Sequence, residues 1–438
     1  MGAKLGEGSF ATVHKGKHLA TGKDVAIKIV KPEKDLDFGG DNPSACHISY
    51  KDVLKAMKKE VEFIERVGVH PHIVELMGTS DNCQVFIMEK ATSDLYQIVR
   101  KKEKTLSLQS VSVWSEQILQ AIDFIHQKDI VHQDIKSSNV LIFNDRQCKI
   151  CDFGLARSNE DVMYVDRELV TLWYRAPELL LGDTTYTKKI DDWSAGCILL
   201  EMIIGICPFR GNAENICNCP QVTHRNFNSD QLIKIFKMLG SPEEKYVKKL
   251  SCHIHMKGWP TMQSKLSNMV SMSITKERCP PDIARNEGDL RETKNDWLQL
   301  LQGLLYINPH ERLSCKESLE SPLFQGKGAG RRQNSPFGRK QSERPFDLAR
   351  RDEEGGNNSA MRPGSAQRPH MAEEELRSMS LSPVRRVASP PGRTSSSHVV
   401  NGRELTTASS QSPNNFKRLM QRARTPSPIR NQPVSRGK

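Results

Sequence analysis

The sequence predicts an α+β fold followed by a long tail with no core of its own. Three observations carry this. In residues 3–30, KLGEGSFATVHKGKHLATGKDVAIKIV, β-type residues alternate around turn signals. From Lys51 to Val67 the apolar residues Val53, Leu54, Met57, Val61, Ile64 and Val67 fall on one stripe at helical spacing. All five Trp, seven Tyr and eleven Cys of the 438 residues lie before residue 325.

Residues 325–438 are rich in Ser, Pro, Arg, Gly and Asn. Such a composition buries too little apolar surface to offset the entropy of ordering, so disorder is expected there. Charge divides at the same place. The tail holds 22 Lys and Arg against 9 Asp and Glu, whereas the whole chain is +12, which leaves residues 1–324 near neutral. A near-neutral folded part argues against a nucleic-acid-binding fold; only the basic arm is suited to acidic partners or nucleic acid.

No stretch approaches the ~18 consecutive apolar residues of a membrane span, and no secretory leader is recognisable. The cysteines read as reduced, mostly buried thiols. Cys217, Cys219 and His224 match no common zinc spacing and are not taken as a metal site.

In chain order, two strands are expected to meet at Gly6-Glu7-Gly8-Ser9-Phe10-Ala11-Thr12-Val13. Glycines there let backbone N–H groups approach phosphate oxygens, although a Gly-rich hairpin alone is often only a turn. Val25-Ala26-Ile27-Lys28 reads as the next strand. A polar insertion from Lys31 to about Tyr50 precedes the helix over Lys51–Val67. Three further motifs follow in order: HQDIKSSN (His132 to Asn139), DFG (Asp152 to Gly154) and APE (Ala176 to Glu178). A carboxylate that orients a hydroxyl, with an amide and a second carboxylate to hold a divalent cation, is what phosphoryl transfer requires.

This ordered set closely resembles the eukaryotic protein kinases, over residues 3–324. Within them it is similar to the CMGC group, nearest the cyclin-dependent kinases through VTLWYRAPELLLG (Val170 to Gly182) and the run Asp230 to Pro242. The resemblance implies a bilobal protein kinase fold, with a small β-rich N-lobe over about 1–90 and a larger, mainly helical C-lobe over about 91–324. It implies a serine/threonine protein kinase using ATP and Mg²⁺ in the nucleus or cytoplasm. Lys28 would pair with the α- and β-phosphates and with Glu60, preferred over Glu62. Leu5, Gly6, Glu7, Gly8, Ser9, Phe10, Ala11, Val13, Ala26, Glu89, Ala91, Asn139 and Leu141 would seat the nucleotide, with Met88 as gatekeeper. Ala11 stands where the family has its third glycine.

The resemblance also assigns Asp134 as base, Lys136 as stabiliser of the transferring phosphate, and Asn139 and Asp152 as metal ligands. His132 would be a scaffold, Asp191 the anchor of the catalytic loop, and Glu178 the structural partner of Arg312. Arg175 with Val170 implies a pocket for proline after the target Ser or Thr. Gln133 replaces the arginine that meets a phosphorylated activation loop, and Asp166 stands at the activating threonine. Hence phosphorylation there is expected to be unnecessary. Protein substrates with Ser/Thr-Pro sites follow as partners. A cyclin or cyclin-like activator is left open, because Lys58 replaces an apolar residue that family members press against cyclin. Two alternatives stand beside this reading: a pseudokinase scaffold, motivated by Ala11 and Gln133, and a MAP-kinase-like member, against which Met163-Tyr164-Val165-Asp166 offers no T-x-Y. In the tail, Ser335, Ser382, Ser389, Ser412, Thr425 and Ser427 each precede proline, and Ser382 and Ser427 begin S-P-x-R.

Overall fold

The computed structural model describes residues 2–8, 10–36, 49–80, 82–101, 106–144, 146–159, 171–183, 185–213 and 226–325. The expected disorder of the tail beyond Gln325 lies outside them.

The alternating residues at the start form β1 (Lys4–Glu7), β2 (Ala11–Lys17) and β3 (Asp24–Val30), which join β4 (Leu76–Thr79) and β5 (Val85–Glu89). The sheet is antiparallel, in the order β1-β2-β3-β5-β4. Its register sets Val13 opposite Lys28, Lys28 opposite Phe86, and Ala26 opposite Met88.

Helix α1 (Tyr50–Val67) starts at a capping box, in which Ser49 and Asp52 satisfy each other's backbone N–H groups. It ends at Gly68, whose φ of 78° is easy only for glycine. Val53, Met57, Val61 and Val67 are buried as expected, but so are Glu60 and Phe63. The buried face is wider than the apolar stripe because α1 serves two cores. Val53, Met57 and Val61 pack with Phe10, Val30, Phe86 and Leu155, while Phe63 and Val67 join the core of the larger lobe. At roughly 1.5–3 kcal/mol for each fully buried side chain, both ends of α1 are held firmly.

Beyond the sheet, α2 (Leu95–Arg100) and α3 (Leu108–Gln127) begin a mainly helical lobe. It continues through α4 (Pro177–Leu180), α5 (Lys189–Ile204), α6 (Ser229–Leu239), α7 (Glu244–Val247), α8 (Leu266–Ser273), α9 (Pro281–Ala284), α10 (Glu287–Leu304) and α11 (Cys315–Ser318). Short strands carry the connecting loops. One sheet has the order β6 (Ser93–Asp94), β8 (Val140–Asn144), β9 (Gln147–Ile150), and β7 (Ile130–Val131) pairs with β10 (Arg157–Ser158). Helix α5 is buried at every residue from Ile190 to Ile203, which a helix apolar on all sides requires. No helix of the described residues is long and apolar enough to cross a membrane.

The pairing of Glu178 with Arg312 is as expected. The guanidinium donates to Glu178 Oε1 and Oε2 at 2.8 and 2.7 Å, to the carbonyls of Tyr306, Lys189 and Ile307, and lies 5.1 Å from the Trp193 ring centre. The eight described cysteines are free thiols; Cys148, Cys197, Cys252 and Cys315 are buried, and the other four only partly so.

Candidate active site

A cleft of roughly 610 Å³ opens between the sheet and the helical lobe, a volume in the range of small-ligand sites. Every residue expected to seat a nucleotide lines it except Ser9, which lies outside the described residues. Leu5, Gly6, Glu7 and Gly8 come from β1 and its turn, Phe10, Ala11 and Val13 from β2, and Ala26 and Lys28 from β3. The turn is closed by Gly8 N–H donating to Ala11 O at 2.8 Å, and Lys31 N–H donates to Phe10 O at 2.9 Å. Lys31 and Lys4 both bind Glu7, whose carboxyl they hold down at about 2.

Lys28 Nζ donates to both oxygens of Glu60, at 2.6 and 2.8 Å, and Glu60 is 2% exposed. That settles the choice between Glu60 and Glu62, which is exposed on the other face of α1. The bond requires Glu60 on the inward face of α1, where the packing of the helix against two cores sets it. Lys58 is exposed, its ammonium in water. At the hinge, Glu89 lines the cleft and is tied to neighbouring elements. Its carboxylate takes Lys149 Nζ at 2.6 and 2.7 Å and the Glu75 N–H at 2.9 Å, tying β5 to β9.

The hairpin of β8 and β9 brings the second half of the site together. Val140 stands opposite Ile150, so the flanking residues meet, and Cys151 N–H donates to Asn139 O at 3.0 Å. Asp152 follows at φ 70°, a left-handed conformation that costs a non-glycine residue about 1–2 kcal/mol. Such strain persists where surrounding structure over-determines it, often at reactive sites.

Asp134 is 1% exposed, and its carboxylate is a node. Lys136 Nζ donates to Oδ2 at 2.8 Å, Thr171 Oγ1 donates to Oδ1 at 2.9 Å, and Asn139 Nδ2 donates to Oδ2 at 3.1 Å and to the Asp134 carbonyl at 2.8 Å. Lys136 Nζ also reaches Thr171 Oγ1 at 3.2 Å. Asp134 does not itself line the cleft; Lys136 and Asn139, which touch it, do.

Asp191 anchors the loop, as expected. It accepts from the N–H groups of His132 at 2.8 Å and Gln133 at 3.0 Å, with His126 Nε2 at 3.0 Å. His132 is fully enclosed. Burial lowers its pKa, so at neutral pH the ring is uncharged. Its Nδ1 accepts the Asp134 N–H at 3.3 Å while Nε2 donates to Cys151 O at 3.2 Å, the arrangement of a scaffold rather than a proton carrier. Gln133 is buried at φ 64° and donates Nε2–H to Tyr186 Oη at 2.5 Å. It carries no charge and is bonded within the lobe.

The donor set fits a hard divalent cation. Because Asn139 spends its Nδ2 on Asp134, Oδ1 is the atom left for a ligand, and Asp152 adds a carboxylate; Mg²⁺ is usually bound by one or two carboxylates completed by phosphates and water. Among the described residues, no three His, Cys, Asp or Glu side chains form a protein-only metal site. Val170, Tyr164 and Asp166, together with Cys217, Cys219 and His224, lie outside those residues. Motif reading missed Met57, Val74, Thr92, Ser93, Asp94, Ser138 and Cys151, which also line the cleft. Thr92 to Asp94 were findable as the continuation of the hinge, whereas Met57 and Val74 enter from separate elements with no local signal.

A lysine paired with a helix glutamate, a carboxylate in a lysine-amide node and a second carboxylate beside one cleft define a phosphotransferase site. The family model of the protein kinase domain matches residues 1–324, and the chain belongs to the protein kinase family. Two relatives from Trypanosoma brucei brucei are cell division control protein 2 homolog 3, 31% identical over 326 residues (73% of this chain, 89% of that protein), and homolog 1, 30% identical over 330 residues (73% and 96%). Cyclin-dependent kinase 14 of Xenopus tropicalis is 34% identical over 325 residues, 73% of this chain and 66% of that protein. The chain is a serine/threonine protein kinase of the CMGC group, similar to the cyclin-dependent kinases, and as such uses ATP.

Proposed function

We propose that this kinase transfers the ATP γ-phosphate to Ser or Thr followed by proline. Asp134 orients the hydroxyl and receives its proton, Lys136 neutralises charge on the transferring group, and Lys28, fixed by Glu60, positions the α- and β-phosphates. Asn139 and Asp152 would hold Mg²⁺, which supplies charge neutralisation on the phosphates. The observation that carries this reading is the Asp134 carboxylate held at 2.8 Å by Lys136, a residue that lines the same cleft as Lys28. Proline preference is supported by Arg175, 4% exposed with Nη1 donating to Asn226 O at 3.1 Å, which fixes the segment before Ala176. The test compares a Ser-Pro-x-Arg peptide with its Ser-Ala-x-Arg counterpart. Replacing proline should lower kcat/KM by at least about tenfold, the scale of discrimination by one apolar contact. Equal values would sink proline direction.

Regulation follows from the same residues. With Gln133 bonded to Tyr186, no cation at that position waits for a phosphate. Phosphatase-treated enzyme should keep its activity; loss of activity and its return with an upstream kinase would refute this. The Lys28–Glu60 bond is closed by the chain's own packing, so activity without added cyclin is expected, and strict dependence on cyclin in a peptide assay would count against it. The tail is basic, and its Ser382 and Ser427 are substrates of this enzyme or a relative. Phosphopeptide mapping of active cells checks this, and unmodified serines would remove it.

A further inference from the structure

Beneath the catalytic loop, three polar side chains with no part in the chemistry above meet inside the core. Glu201, on α5, is 1% exposed. Glu201 Oε2 accepts from Tyr174 Oη at 2.7 Å, and Ser137 Oγ, 3.2 Å from Glu201 Oε1 and 2.8 Å from Tyr174 Oη, gives its one proton to one or the other of them. Among the described residues, no cation bonds it.

The three groups come from three places that catalysis must align. Ser137 lies in the loop between Lys136 and Asn139. Tyr174 closes the short turn Leu172–Tyr174, three residues after Thr171, whose hydroxyl bonds Asp134. Glu201 sits on the rigid central helix. The loop and the segment leading to Ala176 therefore meet at Thr171, through Asp134 and Lys136, and again at Ser137–Tyr174, and Glu201 underpins that last contact. A carboxylate this buried is costly unless paired, and an apolar residue would fill the space at less cost.

Burial pushes the Glu201 carboxyl up to about 7, partly offset by the two hydroxyl bonds. The titratable groups acting with it are Tyr174 from the turn, Cys207 from the segment after α5, and Cys197 one turn earlier on α5. Burial raises all three, Cys207 to about 12, so they are uncharged at neutral pH. Arg210 and Arg312 act on those thiols, and Arg312 is bound to Glu178.

We infer that Ser137, Tyr174 and Glu201 form a positioning unit, in which ionised Glu201 draws both hydroxyls down and holds the Asp134 loop against the segment from Thr171 to Ala176. Hydrogen bonds to a charged acceptor are roughly twice as strong as neutral ones. Once protonated, the acid makes only neutral bonds, about half as strong, and holds the pair less firmly. Turnover should then rise with pH through neutrality. The inference rests on Asp134 being the base.

The test uses the full-length enzyme, a Ser-Pro-x-Arg peptide and saturating ATP from about pH 6 to pH 8.5, the window around the raised carboxyl. Wild type is compared with Glu201→Gln, Ser137→Ala, Tyr174→Phe and the Ser137→Ala/Tyr174→Phe double variant. Wild-type kcat should rise roughly three- to tenfold across the range, a loss of the order that slight misplacement produces. Glu201→Gln should be flat, near the wild-type acidic value, with KM for ATP unmoved. At the alkaline end each hydroxyl deletion should lower kcat, and the double variant should be no worse than the poorer single one. A wild-type pH limb that survives in Glu201→Gln, or single losses that multiply in the double variant, overturns the inference.

Thermal unfolding gives a readout that does not depend on turnover. A carboxyl whose folded pKa lies above its ordinary 4.5 stabilises the fold while protonated and loses that contribution as pH rises through about 7. Wild-type Tm should therefore fall more between about pH 5 and pH 8 than that of Glu201→Gln. Equal slopes overturn the inference even if no variant turns over, whereas an inactive wild type counts against the catalytic assignment instead.

Discussion

Asp134→Asn should lower kcat by roughly 10³-fold, within the range for removal of a general base, while leaving KM for ATP nearly unchanged. The loss corresponds to about 4 kcal/mol of barrier. The split follows from geometry. Asp134 does not line the nucleotide cleft, but its carboxylate is the point where Lys136, Asn139 and Thr171 converge. Asparagine keeps the shape and one oxygen, so Thr171 or Lys136 retains an acceptor and the loop remains anchored through Asp191. What is lost is the basic oxygen for the incoming hydroxyl proton. Labelled ATP and a Ser-Pro-x-Arg peptide measure it directly. Equal phosphate incorporation by both proteins would falsify the assignment and favour a nucleotide-binding scaffold.

Arg312→Met should destabilise the larger lobe by about 3–5 kcal/mol, the cost of leaving one member of a buried ion pair without its partner. Arg312 and Glu178 are each 2% exposed, so water cannot take the place of the guanidinium. The variant also strands the carbonyls of Tyr306, Lys189 and Ile307. Because methionine fills much of the volume, the effect would be electrostatic and hydrogen-bonding rather than a cavity. Thermal or urea unfolding checks it. A change below about 1 kcal/mol, the scale of exposed pairs, would show that this bridge does not hold the lobe. Arg312→Lys should also fail to restore stability, since one ammonium cannot reproduce a bidentate fork with three further donors.

The chemistry was legible wherever phosphoryl transfer demands a fixed residue type in a local motif. Lys28, Asp134, Lys136, Asn139 and Asp152 were all found from strings a few residues long, and the structure brings Lys28, Lys136, Asn139 and Asp152 to one cleft. Glu60 was harder. The helix was clear from its period, but which glutamate faces Lys28 depends on the rotation of α1, which Phe63 and Leu155 set from two different cores. Gln133 was read only as a missing charge. Its bond to Tyr186, 53 positions away, has no trace in local pattern.

By itself, the sequence determined the reaction class, the order of the catalytic groups and the limit of the aromatic-rich part, because these rest on residue chemistry and short spacing. Tertiary structure alone decided that the Glu89 carboxylate binds Lys149, and that Ser137, Tyr174 and Glu201 share one buried site. The physical reason is range. Motifs and periodicity report on neighbours within a few turns of chain, whereas burial and hydrogen bonding between residues 37 and 64 positions apart exist only once the core has closed around them.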